Sequence, residues 1–114
     1  FAICPLSNIF IHRALPPLDL MRENGLQICL GTDSLSSNTI LSIAKEIVCL
    51  HKNFPHIKLE EILQWACLNG ARMLGKDDVL GSFEPGKKPG AVLVENLDWE
   101  NMKFTDDTVT RRII

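Results

Sequence analysis

An α/β fold built on short, buried, parallel strands is predicted by three features of this sequence. Leu26-Gln27-Ile28-Cys29-Leu30 is a compact apolar run between Gly25 and Gly31, too short for a helix, and it suits a strand covered on both faces. A short helical segment precedes it and longer amphipathic ones follow, and helices alternating with buried strands imply an α/β arrangement. The 114 residues are 46% hydrophobic and 23% charged, which suffices for one ordinary domain with a sizeable core.

The same composition excludes several function classes. Twelve basic against fourteen acidic residues give a net charge of −2, which argues against a nucleic-acid binder. No apolar run approaches the ~20 residues of a membrane span, so no transmembrane helix and no membrane partner are expected. No basic-then-apolar leader with a small-residue cleavage site is visible, and the start at Phe1 reads as a cut. Cys4, Cys29, Cys49 and Cys67 stand far apart in apolar company without a CxxC pair. They are expected as four buried thiols, in keeping with a reducing cytoplasm.

Element by element, Phe1 to Cys4 reads as the end of a buried strand stopped by Pro5. Leu6 to Pro17 reads as a loop. Pro17 suits the first position of a helix running to Asn24, which Gly25 ends. After the strand at 26–30, a helix is expected from about Thr39 to His51, with Ile40, Ile43, Ala44, Ile47 and Val48 on its apolar face. Another is expected from Leu59 to Leu74, with Glu60 and Glu61 where the helix dipole favours acids. Asn69-Gly70 conflicts with that helix; close packing or a premature helix end would account for it. Glu84-Pro85-Gly86-Lys87 has the residues of a type II turn. Ala91 to Glu95 and Thr108 to Ile114 read as strands of a small β-rich unit.

Asp33 is the leading candidate for chemistry. A carboxylate just past a buried parallel strand stands where α/β folds place their sites, able to hold a metal or take a proton from water. As a cap, Asp33 or Ser34 would serve a turn or helix instead.

Four signals occur in order: Cys4-Pro5-Leu6-Ser7-Asn8; Gly31-Thr32-Asp33-Ser34-Leu35-Ser36-Ser37-Asn38; Asn69-Gly70-Ala71-Arg72 with Leu74-Gly75; and Gly81-Ser82-Phe83-Glu84-Pro85-Gly86-Lys87-Lys88. Together they resemble the C-terminal portion of the metal-dependent amidohydrolase superfamily, in its aminohydrolase/chlorohydrolase branch, which includes adenosylhomocysteine and guanine deaminases. The resemblance implies a TIM (β/α)8 barrel with a flanking β-sandwich. Residues 1–80 would carry barrel strands seven and eight with the following helices, and residues 81–114 strands of the sandwich. It implies that Asp33 is a catalytic metal ligand, and that Ser7, Asn8 and Ser34 border the substrate. The cofactor would be one divalent metal, zinc or iron, and the substrate a small heterocyclic or nucleoside-like amine. Ile3 stands where many members carry a histidine, and Leu6 where a basic residue is common.

The family's His-x-His pair, later histidines and proton-shuttling glutamate have no counterpart here. His12, His51 and His56 form no such pair, and His51 and His56 are expected at the surface. Arg72, Lys87 and Lys88 are expected as solvated or packing residues. The chain is therefore expected to be a fragment that is inactive alone, binds no metal stably, and self-associates or exchanges strands with another copy. The alternatives are a non-catalytic interaction module, with Gly-Thr-Asp-Ser as a cap, and an amidohydrolase-like protein without activity.

Overall fold

The computed structural model describes residues 1–114. Strands β1 (Ala2–Ile3) and β2 (Cys29–Leu30) pair in parallel, Ala2 opposite Cys29 and Ile3 opposite Leu30. Parallel strands need a crossover, which helices α1 (Pro5–His12) and α2 (Leu18–Glu23) supply. Helices α3 (Ile43–Asn53), α4 (Leu59–Ala66) and α5 (Leu68–Met73) follow. An antiparallel ribbon of β3 (Val92–Glu95) and β4 (Val109–Arg112) ends the chain. The strand expected over 26–30 shortens to β2, because Leu26 and Gln27 are exposed while Ile28, Cys29 and Leu30 are buried in succession.

The loop expected over Leu6 to Pro17 is corrected, since α1 occupies most of it. Pro5 does not merely stop a strand; it opens the helix, where its missing N–H has no partner to lose and its φ is already helical. Arg13, at φ +52, closes α1 by donating its N–H to the Ile9 carbonyl at 2.9 Å. Apolar periodicity could not reveal this helix, because Ile9, Phe10 and Ile11 are exposed and its buried residues are Pro5 and Ser7.

Two helix boundaries also move. Helix α3 starts at Ile43, not Thr39, because Ser42 is the N-cap and its Oγ accepts the Lys45 N–H; Ile40 lies exposed. The single helix expected over 59–74 divides at Cys67 (φ −112, ψ −78), and Leu74 is exposed. The Asn69-Gly70 conflict has a third resolution. The Asn69 amide donates to the Ile28 carbonyl at 2.7 Å and ties α5 to the sheet. A Cβ on Gly70 would meet nothing nearer than 4.0 Å, whereas one on Gly81 would stand 2.8 Å from Ala71 Cβ and 2.9 Å from Leu68 Cα.

The core lies between the parallel pair and the helices. Ile3, Ile28 and Leu30 pack with Ile47 and Leu50 of α3, Ile62 and Trp65 of α4, and Phe104 from the C-terminal segment. Arg22 of α2 grips Glu61 of α4 with two bonds, at 2.7 and 2.8 Å. Lys87 bonds back to Glu84 and Ser82 across the expected turn, where Gly86 sits at φ +93.

Two expectations about burial are corrected. Cys29 and Cys49 are buried, but Cys4 is half-buried and Cys67 exposed, because the chain bends at Cys67 between two helices. His51 is not a surface residue; it is 4% exposed, and its Nδ1 accepts the Phe104 N–H at 3.0 Å. That bond places the ring proton on Nε2, which is buried without a partner. His56 is exposed and contacts Asp19 at 2.7 Å.

Two predictions follow from this packing. Gly81→Ala is expected to destabilise the chain by about 1–3 kcal/mol in urea unfolding, from overpacking against α5 at a φ of +87. Burial, with the Lys103 charge nearby, holds His51 below the usual imidazole range. The folded state keeps the ring neutral, while the unfolded chain takes up a proton near pH ~6.5. Stability from this contact is thus full above that pH and lost below it. Urea midpoints between pH 8 and 5 are expected to show this loss in wild type, and His51→Asn to lessen it.

Candidate active site

The loop after β2 turns sharply at Asp33, whose φ is +56. A left-handed conformation is uncommon outside glycine, though aspartate tolerates it better than most. Its side chain stabilises the turn: Oδ1 accepts the Ser34 N–H at 2.8 Å. Oδ2 accepts the Ser7 hydroxyl at 3.0 Å, from the first turn of α1. Ser7 Oγ also lies 2.9 Å from Ser37 Oγ. A hydroxyl has one proton, and with that of Ser7 on Asp33 the Ser37 proton serves either Ser7 or the carboxylate. The hydroxyls of Ser7 and Ser37, then the Ser34 N–H, hold the Asp33 carboxyl below the usual carboxylate range. Asp33 itself is exposed.

The structure thus brings together Ser7, Asp33 and Ser34. Ser7 is 1% exposed and fully engaged with Asp33 and Ser37. Ser34 is exposed, its hydroxyl bonded to that of Ser36. Asn8 stands beside Ser7 on α1, half-buried, with its Oδ1 shielded from solvent and unpartnered.

A residue that the sequence reading missed lies beneath them. Glu46 of α3 is 0% exposed. Its Oε2 accepts the Leu6 N–H at 2.8 Å, in the first turn of α1. Its Oε1 accepts the Asn38 amide at 2.7 Å, and the same amide nitrogen donates to the Thr32 carbonyl at 2.9 Å. Burial pushes the Glu46 carboxyl up, while the Leu6 N–H and the Asn38 amide pull it down. The signal was present in the sequence: Glu46 falls three residues after Ile43 and four before Leu50, a charge within the apolar stripe.

An ionised carboxylate at the C-terminal end of a buried parallel strand can offer an oxygen to a metal or accept a proton. Zinc sites of the catalytic kind use about three protein ligands. Asp33 fits as one of them, and no three His, Cys, Asp or Glu side chains converge within this chain.

Known proteins share this arrangement of sequence and fold. The model of the amidohydrolase family matches residues 1–114. The 5-methylthioadenosine/S-adenosylhomocysteine deaminase of Moorella thermoacetica is 34% identical over 101 residues, covering 82% of this chain and 24% of its own length. An adenosine deaminase from Xanthomonas campestris, solved with bound zinc, superposes with a TM-score of 0.71 at 30% identity, over 82% of this chain and 23% of that one. The guanine deaminase of E. coli superposes with a TM-score of 0.70 at 28% identity, over the same shares of 82% and 23%. The chain spans about a quarter of the length of these relatives.

Removing the Ser7 hydroxyl tests the electrostatics of the site. Ser7→Ala is expected to raise the titration of Asp33 toward the ordinary aspartate value, because its foremost hydrogen bond is lost. Carboxyl NMR titration of the two proteins checks the shift.

Proposed function

This chain belongs to the amidohydrolase family, and on that premise we propose that it forms the C-terminal part of a metal-dependent hydrolase acting on carbon–nitrogen bonds other than peptide bonds. The observation that carries the reading is the placement of Asp33, which lies three residues past the end of the buried strand β2 and is held ionised by hydroxyl and amide donors. The substrate class is a small heterocyclic or nucleoside-like amine, and hydrolysis releases ammonia. Relatives named as deaminases of methylthioadenosine, adenosine and guanine support that choice.

In this reading β1 and β2 are the seventh and eighth strands of a TIM barrel, and residues 81–114 return to a flanking β-sandwich. The barrel assignment accords with a general rule, that such folds carry their chemistry at the C-terminal ends of the strands. Asp33 would supply one carboxylate oxygen to a divalent metal, and zinc is the ion suggested by the zinc-bound relative. When bound, such a metal supplies the acidity that makes a water nucleophilic near neutral pH. Ser7 acts through Asp33, keeping its carboxylate oriented and charged. Ser34, with its exposed hydroxyl, and Asn8 border the substrate. The remaining metal ligands would come from outside residues 1–114. Each strand of the parallel pair also keeps one edge unpaired, which supports self-association or strand exchange by these residues taken alone.

In the full-length enzyme, Asp33→Ala is expected to drop ammonia release to the background rate and to lower the zinc bound per chain. Ammonia assays over methylthioadenosine, adenosine and guanine, paired with metal analysis, check both. Undiminished turnover in that variant would remove Asp33 from the chemistry.

A further inference from the structure

We propose that Glu46 is the positioning residue of this site, fixing the Asp33 loop against α1 without touching substrate or metal itself. The inference rests on the reading of Asp33 as a metal ligand. Glu46 holds both partners of the Ser7–Asp33 contact from one step back in sequence. One oxygen takes the N–H of Leu6, the residue before Ser7. The other takes the amide of Asn38, which holds the carbonyl of Thr32, the residue before Asp33. The two N–H groups of that amide are thereby spent on two acceptors. Its oxygen accepts the Ile40 N–H at 3.3 Å, so the amide is anchored at both ends.

The surroundings make this a rigid linkage. Glu46 is 0% exposed, Ser7 1%, and Ser37 and Asn38 6% each, so water does not compete for these bonds. The loop needs such a hold, because Asp33 keeps a left-handed backbone that only over-determined surroundings maintain. Partners that orient a metal ligand commonly matter about 10- to 100-fold in metal affinity or activity.

The test compares the full-length wild type with Glu46→Gln and Asn38→Ala. Gln at 46 keeps the shape but turns an NH2 group toward either the Leu6 N–H or the Asn38 amide. Asn38→Ala cuts the arm to Thr32 and leaves the bond to Leu6, so it serves if the first variant folds poorly. Zinc affinity is measured by chelator competition without substrate. Hydrogen exchange is followed over 31–38 in metal-free protein, and kcat and KM are measured separately. Both variants are expected to lose about 10- to 100-fold in zinc affinity and in kcat, with KM within about threefold, and to exchange faster over 31–38. Unchanged zinc affinity and unchanged exchange over 31–38 overturn the proposal, as does a loss that merely follows the folded fraction. A wild type that binds zinc yet releases no ammonia sinks the deaminase reading while the zinc and exchange measurements still decide for or against Glu46. A wild type that binds no zinc overturns both.

Discussion

A carboxylate sealed from solvent, Glu46, constrains everything at the upper end of the parallel pair. Stripping such a group of water costs several kcal/mol, on the order that only good hydrogen bonds offset. The Leu6 N–H and the Asn38 amide are those bonds. Helix α1 depends on the arrangement as much as Glu46 does. It has no side-chain cap of its own, and its first turn presents free N–H groups and the positive end of a helix dipole. A carboxylate reaching across from α3 answers both needs. Ser7, one residue further along α1, is thereby delivered to Asp33.

The same device recurs elsewhere in the chain. Glu46, His51 and Asn69 each leave a helix to meet the backbone of a segment 40, 53 or 41 residues away. The strands here are short, so sheet hydrogen bonds alone fix little of the backbone. Buried side chains take over that task, one for the start of α1, one for the C-terminal segment at Phe104, and one for β2. The three differ in charge. Glu46 accepts with both oxygens as an ion would, His51 serves only while neutral, and the Asn69 amide is indifferent to pH.

What the sequence disclosed follows from what periodicity can report. The apolar run before Gly31, the face of Ile47 and Val48, and the Pro-Gly turn at 85–86 were legible because burial or backbone geometry dictated those residue types. Helix α1 was not, since its buried contacts are made by a proline and a serine while Phe10 faces outward. Asp33 stood out through its place after a buried strand. Glu46 was marked only as a charge within the apolar stripe of α3, and nothing local announces that Leu6 and Asn38 will converge on it. His51 likewise has a partner that nothing local announces, 53 residues downstream.

The clasp between Ser7 and Asp33 closes a ring of chain spanning 26 residues. Within that ring, residues 13–17 are largely exposed and belong to no helix or strand. Loop-closure entropy grows only with the logarithm of length, so even doubling such a ring costs about 0.6 kcal/mol. Residues 13–17 can therefore lengthen, shorten or change composition at little thermodynamic expense, without any change in the residues that form the clasp. A ring of this kind separates the length of its connecting segment from the geometry of its closure, and lets the first be revised without the second.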